Sequence, residues 1–319
     1  MRVARSIFRG MLAALAVTSG SALAQQAYPA RSVQAIIGFT AGGSVDIMAR
    51  NLLMAISSQL GQQFVPVNRE GASGAIAFAG LAGAKADGYT LGAGPTTPIA
   101  IAPHLQKDVK YGVDSFEYIC QSFENVFTVA VPMESPLRSV ADILAAARAS
   151  PGKLSWAHSG IGTVPHLSMA NLAYRAKVDM LAVAYRGETP AFQDMLAGRV
   201  DFGTPSVALS VGRNLRVLAV FADQRHPAFP DAPTFSELGM PSMPPGLNGL
   251  FAPKGTPPEV LAVLERACEQ AVRSEAFVAT AKRLHQPVVY LNGAAFAERT
   301  RTDFRYKGEL IRALGIKVD

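Results

Sequence analysis

The stretch IIGFTAGGSVDIMAR, residues 36–50, constrains this chain more than any other, because an unbroken apolar run breaks into a glycine pair and then turns helical. An apolar run of strand length without alternation is the pattern of a parallel strand covered on both faces. After the glycines, Val45, Met48, Ala49, Leu52, Leu53, Ile56 and Leu60 fall at helical spacing, and Gly61 ends the run. Strand, glycine loop and helix make half of a βαβ unit.

The same order recurs along the chain. FVPVN precedes a loop at residues 69–74 and a small-residue helix reaching Ala86, and YTLGAG runs into Pro95, Thr96 and Thr97. In the second half, KLSWAHSG leads into a loop and a helix opened by Pro165. MLAVAYRG leads to Thr189 as an N-cap, with Pro190 at the first helical position and Gly198 past the end. VDFGTPS and RVLAVFA read as two more short buried strands. Alternating strands and helices in two groups predict an α/β chain of two doubly wound lobes joined by a hinge. The strand and turn in residues 127–140 suit one crossing between lobes, and the proline-rich residues 230–258 suit the return. The expected division is a first lobe beginning at 25–125, a second lobe at 126–245, and a return to the first lobe with C-terminal helices at 246–319.

Residues 1–24 read as a secretory signal peptide: Arg2, Arg5 and Arg9 precede an apolar core at 11–17 and the small-residue site Ala22-Leu23-Ala24. That core is too short to span a bilayer, and no cysteine follows the cut to carry a lipid anchor. The mature chain is expected to begin near Gln25 as a soluble exported protein. Cleavage removes three arginines and no acid, lowering the formal charge from +6 to +3. No basic run or basic helix stands out, so nucleic acid is not an expected partner. Cys120 and Cys268 are the only cysteines. In an oxidising compartment they either pair or stay as two buried thiols, and no metal-ligand spacing is present, so neither metal nor cofactor is implied.

Open parallel sheets bind ligands at the carboxyl ends of their strands, where these glycine loops collect. A helix N-terminus there offers unpaired amides and partial positive charge to a carboxylate or phosphate. Gly42 and Gly43 keep side chains off such a ligand and Ser44 adds a hydroxyl; the plainer reading is a tight turn capped by Ser44. Asp46, in the first helical turn, is either a dipole partner or a ligand-facing group. HSGIGTVPH, residues 158–166, repeats the design with Ser159, Gly160, Gly162 and Thr163, and its plainer reading is again a capped turn with His166 held by the fold. Arg186, in the Tyr185-Arg186-Gly187 corner, is either a bidentate carboxylate partner or an ordinary exposed loop residue. An exported hydrolase using Ser159 and His166 is the rival from another class, though the G-x-S-x-G elbow is absent.

Taken together, GFTAGGSVDIMAR, VNREGASGAIAFAGLAGAKADGYTLG, SGIGTVPHLSMANL, YRGETPAFQDMLAGRVD and PDAPTFSELG resemble, in order, the conserved blocks of the Bug-type, TctC-like periplasmic solute receptors of tripartite tricarboxylate transporters. The resemblance covers essentially the whole mature chain. It implies a periplasmic binding protein of the Venus-flytrap, type II-like kind that closes on a small organic carboxylate, is not an enzyme, is monomeric, and partners membrane permease subunits; a receptor serving signalling alone is the alternative. It also implies a ligand site built from Phe39, Thr40, Ala41, Gly42, Gly43, Ser44, Asp46 and Thr97 on one side and Ser159, Gly160, Ile161, Gly162, Thr163, His166 and Tyr185 on the other. The chain departs from the pattern at Gly38 and Thr40, where proline is common, at Val45, where threonine is common, and at Ala170, where a glutamate is common. Loss of the prolines is expected to loosen the first-lobe loop.

Overall fold

A computed structural model of the chain describes residues 28–240 and 243–316. The signal peptide expected at 1–24 and its cleavage site lie outside the described residues. The chain first lays down β1 (Val33–Ile37), α1 (Ser44–Leu60), β2 (Phe64–Asn68), α2 (Ala75–Ala82), β3 (Thr90–Pro95), α3 (Thr97–Ala100), α4 (Ala102–Leu105) and β4 (Phe116–Asn125). It then builds β5 (Thr128–Pro132), α5 (Val140–Ala149), β6 (Ser155–His158), α6 (Val164–Ala176), β7 (Leu181–Ala184), α7 (Glu188–Leu196), β8 (Phe202–Gly203), α8 (Val207–Ser210) and β9 (Leu215–Val220). It returns through β10 (Gly246–Pro253), α9 (Pro258–Val272), α10 (Glu275–Arg283), β11 (Val288–Asn292) and α11 (Gly293–Leu314).

These strands form two sheets, one per lobe. The first has the order β11-β4-β10-β3-β1-β2 and the second β7-β6-β8-β5-β9. β1 runs parallel to both β2 and β3, whereas β10 is inserted antiparallel between β3 and β4. Each sheet is covered on both faces, which explains the unalternating apolar strands. In β1, Val33, Ala35 and Ile37 join the core under α1 and α9, while Ile36 points to the opposite core with Phe78, Phe116 and Phe251. In the second lobe Val129 and Val131 face one core with Trp156, and Ala130 faces the other with Phe192 and Met195.

The crossings lie between β4 and β5 and between β9 and β10, so the second lobe is an insertion in the first. A fifth core, with Ala100, Ile101 and Leu105 from the first lobe, Leu167 from α6 and Ile311 from α11, packs across the two lobes. α7 starts at Glu188 after an N-cap at Gly187, not at the Thr189 cap expected from the sequence. Gly187, at φ 113°, turns the chain early, in a conformation that residues with a Cβ rarely adopt.

Cys120 in β4 and Cys268 in α9 are joined as a disulfide, with Cα atoms 6.5 Å apart and 148 positions between them in sequence. Closing so long a loop restricts the unfolded chain by up to about 5 kcal/mol in the chain-entropy treatment. Urea unfolding of the mature protein with and without reductant is expected to show a loss of that order, and the Cys120→Ala/Cys268→Ala variant is expected to match the reduced protein. Equal stability in all three would show that the pair does not form.

Candidate functional site

The β1–α1 loop of the first lobe and the β6–α6 loop of the second face each other across the cleft, each positioned from behind by polar side chains. On the first loop, Asp46 Oδ2 accepts from the Gly42 amide at 2.9 Å, and Arg50 Nε donates to the same carboxylate at 2.9 Å. Asn68 Nδ2 bonds both Asp46 Oδ1, at 2.8 Å, and the Phe39 carbonyl, at 2.9 Å. Burial opposes the charge of Asp46, but the bonds from Arg50, Asn68 and Gly42 outweigh it and hold the carboxyl below its ordinary range. This brace ties the loop to α1 and β2 from behind. Gly38 is closely packed, because a Cβ there would come 3.0 Å from Gly74 Cα.

Two imidazoles shape the second loop. His166 Nδ1 accepts from the Gly162 amide at 3.1 Å, His158 Nδ1 lies 2.9 Å from the Gly160 carbonyl, and Thr163 Oγ1 donates to that carbonyl at 2.7 Å. The two rings stand 4.5 Å apart, and Trp156 lies against both, stacked on His166 with centroids 5.9 Å apart. Burial disfavours the charged forms and pushes His158 to about 3 and His166 to about 4, with the neighbouring His166 adding to the effect on His158.

The lobes touch at several places around these loops. Ser73 Oγ donates to the Ile161 carbonyl at 2.8 Å. Gly187 lies so close to Thr40 that a Cβ would fall 2.6 Å from Thr40 Oγ1. The Glu188 carboxylate crosses to the start of α1, where Oε1 accepts from the Ser44 amide at 3.0 Å and from Ser44 Oγ at 2.7 Å. Ser44 Oγ also lies 3.3 Å from Asn125 Oδ1; with one proton to give, it favours the shorter contact.

Two connected spaces result. A narrow inner pocket of about 40 Å³ is lined by Phe39, Thr40, Gly43, Thr97, Ser159, Thr163 and Glu188, among others. A wider outer cavity of about 930 Å³ shares Phe39, Thr40 and Ser159 and adds Gly160, Ile161, Tyr185, Arg186, Lys107, Asp108 and Glu70. The remaining expected site residues line neither space. Ser44 reaches the inner end through Glu188, whereas Asp46 and His166 stand behind their loops. Ala41 and Gly42 are exposed, and Gly162 is pressed against Ile101 and Leu105 of the first lobe. Tyr185 turns its hydroxyl to Asp194, at 2.8 Å.

Sequence reasoning missed Glu188, Asn125 and Ser73. The only available signal was the acidic residue directly after the Gly187 turn, which reads equally as a dipole partner of α7. Among the described residues no hydrogen bond joins the Ser159 hydroxyl to His158 or His166, whose bonds go to Gly160 and Gly162, so the nucleophile–base pair a hydrolase requires is not assembled. Among the described residues no cluster of three or more His, Cys, Asp or Glu side chains is gathered as a metal site.

Comparison with known proteins gives a consistent picture. Residues 48–316 match the family described as TctC, tripartite tricarboxylate transporter family receptor. The UPF0065 protein in the tcbD-tcbE intergenic region of Pseudomonas sp. (strain P51) is 37% identical over 280 residues, covering 85% of this chain and 83% of that protein. The structure of the periplasmic binding protein BugD superposes with a TM-score of 0.85 at 28% identity, covering 91% of this chain and all of BugD. Rpa4515 of R. palustris with adipate superposes with a TM-score of 0.85 at 27% identity, over 91% of this chain and all of that one.

The buried imidazoles predict a pH dependence with a definite sign. Their folded values lie below the unfolded value of about 6.5, so between about 6.5 and 4 the unfolded chain binds protons that the folded chain refuses, and stability falls as pH falls. Above about 6.5 both states are neutral at these positions, and they add no slope. At pH 5 the expected loss relative to pH 7 is about 2 kcal/mol for each histidine. Urea unfolding at the two pH values measures the loss, and the imidazole proton resonances of both residues are expected to stay at neutral positions in the folded protein at pH 5. A folded-state titration near pH 6.5 would contradict this account.

Proposed function

We propose that this chain, a solute-binding receptor belonging to the TctC family of tripartite tricarboxylate transporter receptors, captures a small organic carboxylate between its lobes and passes it unchanged to a membrane permease. Receptors of this family are periplasmic, in keeping with the export signal expected at residues 1–24.

The observation that carries this reading is a carboxylate already held in the cleft, that of Glu188. It is bonded to an amide and a hydroxyl at the N-terminus of a 17-residue helix. Those donors, with the partial positive charge of the helix end, suit the head group of an organic acid. Thr40, Thr97, Ser159 and Thr163 supply further polar groups around the same pocket. The bound form of Rpa4515 with adipate supports the same class of ligand for this chain. The outer cavity, which carries Lys107 and Arg186 as well as Asp108 and Glu70, is where the far end of the ligand is read. Closure of the two lobes on the ligand creates the surface a permease recognises, since binding favours whichever state makes the additional contacts.

Trp156 supplies the test. It is 2% exposed and stacked on His166, whose ring holds the Gly162 amide, so movement of the second loop reaches the indole directly. The mature protein, unfolded and refolded to strip carried-over ligand, is titrated with C4–C8 diacids, adipate among them, and with their diamides, by fluorescence and by calorimetry. A saturable signal with at least one acid and none with its diamide is expected. Binding of the amides alone, or of neither series by calorimetry, would overturn the carboxylate reading.

A further inference from the structure

Glu188 has a place in this cleft beyond its support for the ligand class. It is the first residue of α7 in the second lobe, yet one of its oxygens is engaged by the first-lobe loop while the other stays bonded within its own lobe. Oε1 takes the Ser44 amide and hydroxyl, and Oε2 takes the Ser206 amide at 3.3 Å. Among the described residues no Lys or Arg pairs with it, so amides, hydroxyl and helix end are what hold its charge. The inner pocket it lines measures about 40 Å³, so the Glu188 carboxylate stands at the edge of a small space. Ser44 has one amide and one hydroxyl proton, and both are committed to Glu188.

Building on the carboxylate-receptor reading, we infer that Glu188 is an internal competitor for the ligand. Its carboxylate latches the two lobes through the donors an incoming carboxylate needs, and the ligand enters by swinging Glu188 aside toward the outer cavity. The consequence is a higher threshold that every ligand must clear. An acid offering a single carboxyl group merely replaces the Glu188 bonds with like ones and gains little, whereas a longer acid with further polar groups gains the contacts of the outer cavity as well. The latch lowers affinity for every ligand by the fraction of molecules in which it is closed, and short acids fall below useful affinity first.

Wild type, Glu188→Gln and Glu188→Ala, each stripped by unfolding and refolding and checked by circular dichroism, are compared in two ways. Small-angle X-ray scattering without added ligand reads the latch alone, and calorimetry with adipate and with hexanoate reads the competition. The expected results are a larger radius of gyration for Glu188→Ala than for wild type, and adipate binding tightened about tenfold or more, since a set of charge-assisted hydrogen bonds no longer has to be broken. Hexanoate is expected to gain at least as much. Glu188→Gln keeps the side-chain volume while losing the charge, so it is expected to shift both readings in the same direction and stands in if the alanine variant does not fold. An unchanged radius of gyration in both variants, or adipate affinity that is unchanged or weaker, overturns the inference; weaker binding marks Glu188 as a direct ligand contact. If the radius grows and neither acid binds any of the three proteins, the latch stands, and the carboxylate reading and the competition that rests on it fall.

Discussion

Everything at the centre of this molecule depends on how closely two backbones can approach across the cleft. Gly160 lies against Ser73, Gly162 against Ile101 and Leu105, and Gly187 against Thr40, and in each case a Cβ would come within 2.6–2.7 Å of the facing atom. All three glycines have positive φ, so the residue type answers two demands at once, a turn that other residues rarely make and a contact that they would block. Because the lobes meet at this distance, a side chain as short as glutamate spans the gap. A bulkier seam would leave Glu188 and Ser44 in separate hydration shells.

Behind that seam, the polar groups are arranged so that the loops do not depend on a ligand for their shape. Asp46, Arg50 and Asn68 lock the first loop through its own amide and carbonyl groups. His158 and His166 do the same for the second by remaining neutral, since a neutral ring nitrogen can accept from an amide while a protonated one cannot. The two braces use opposite electrostatic solutions. The first meets a buried charge with a half-exposed counter-charge and hydrogen-bond donors, and the second removes charge altogether, in a buried pocket closed by Trp156. Pre-shaped loops reduce the ordering that binding must accomplish.

Much of this was legible in the residue order, and the parts that were not share a cause. β1, the glycine pair and α1 could be read because their signals are local: an unalternating apolar run, two glycines, then helical spacing to Gly61. The doubly wound lobes followed from repetition of that unit. The antiparallel insertion of β10 between β3 and β4 was not legible, because strand order within a sheet is set by contacts between distant segments. Thr189 and Pro190 make a good local helix start, and the actual start at Glu188 depends on Gly187 packing against Thr40 nearly 150 positions away. The roles of Glu188, Asn125 and Ser73 are likewise created by the fold, each being an ordinary polar residue until the other lobe arrives. The disulfide was undecidable for the same reason, since spacing in sequence carries no distance.

The connection between Cys120 and Cys268 also has a topological side. One cysteine precedes the first crossing and the other follows the return, so the entire second lobe hangs inside a covalent ring whose clasp lies in the core of the first. The host lobe is discontinuous and cannot be completed until the last quarter of the chain has emerged, whereas the inserted lobe is one uninterrupted segment. The ring therefore shuts only after the inserted lobe has been delivered in full. From then on, a cut in any loop of that lobe opens the ring without dividing the molecule, and the halves of the binding cleft remain tethered to each other.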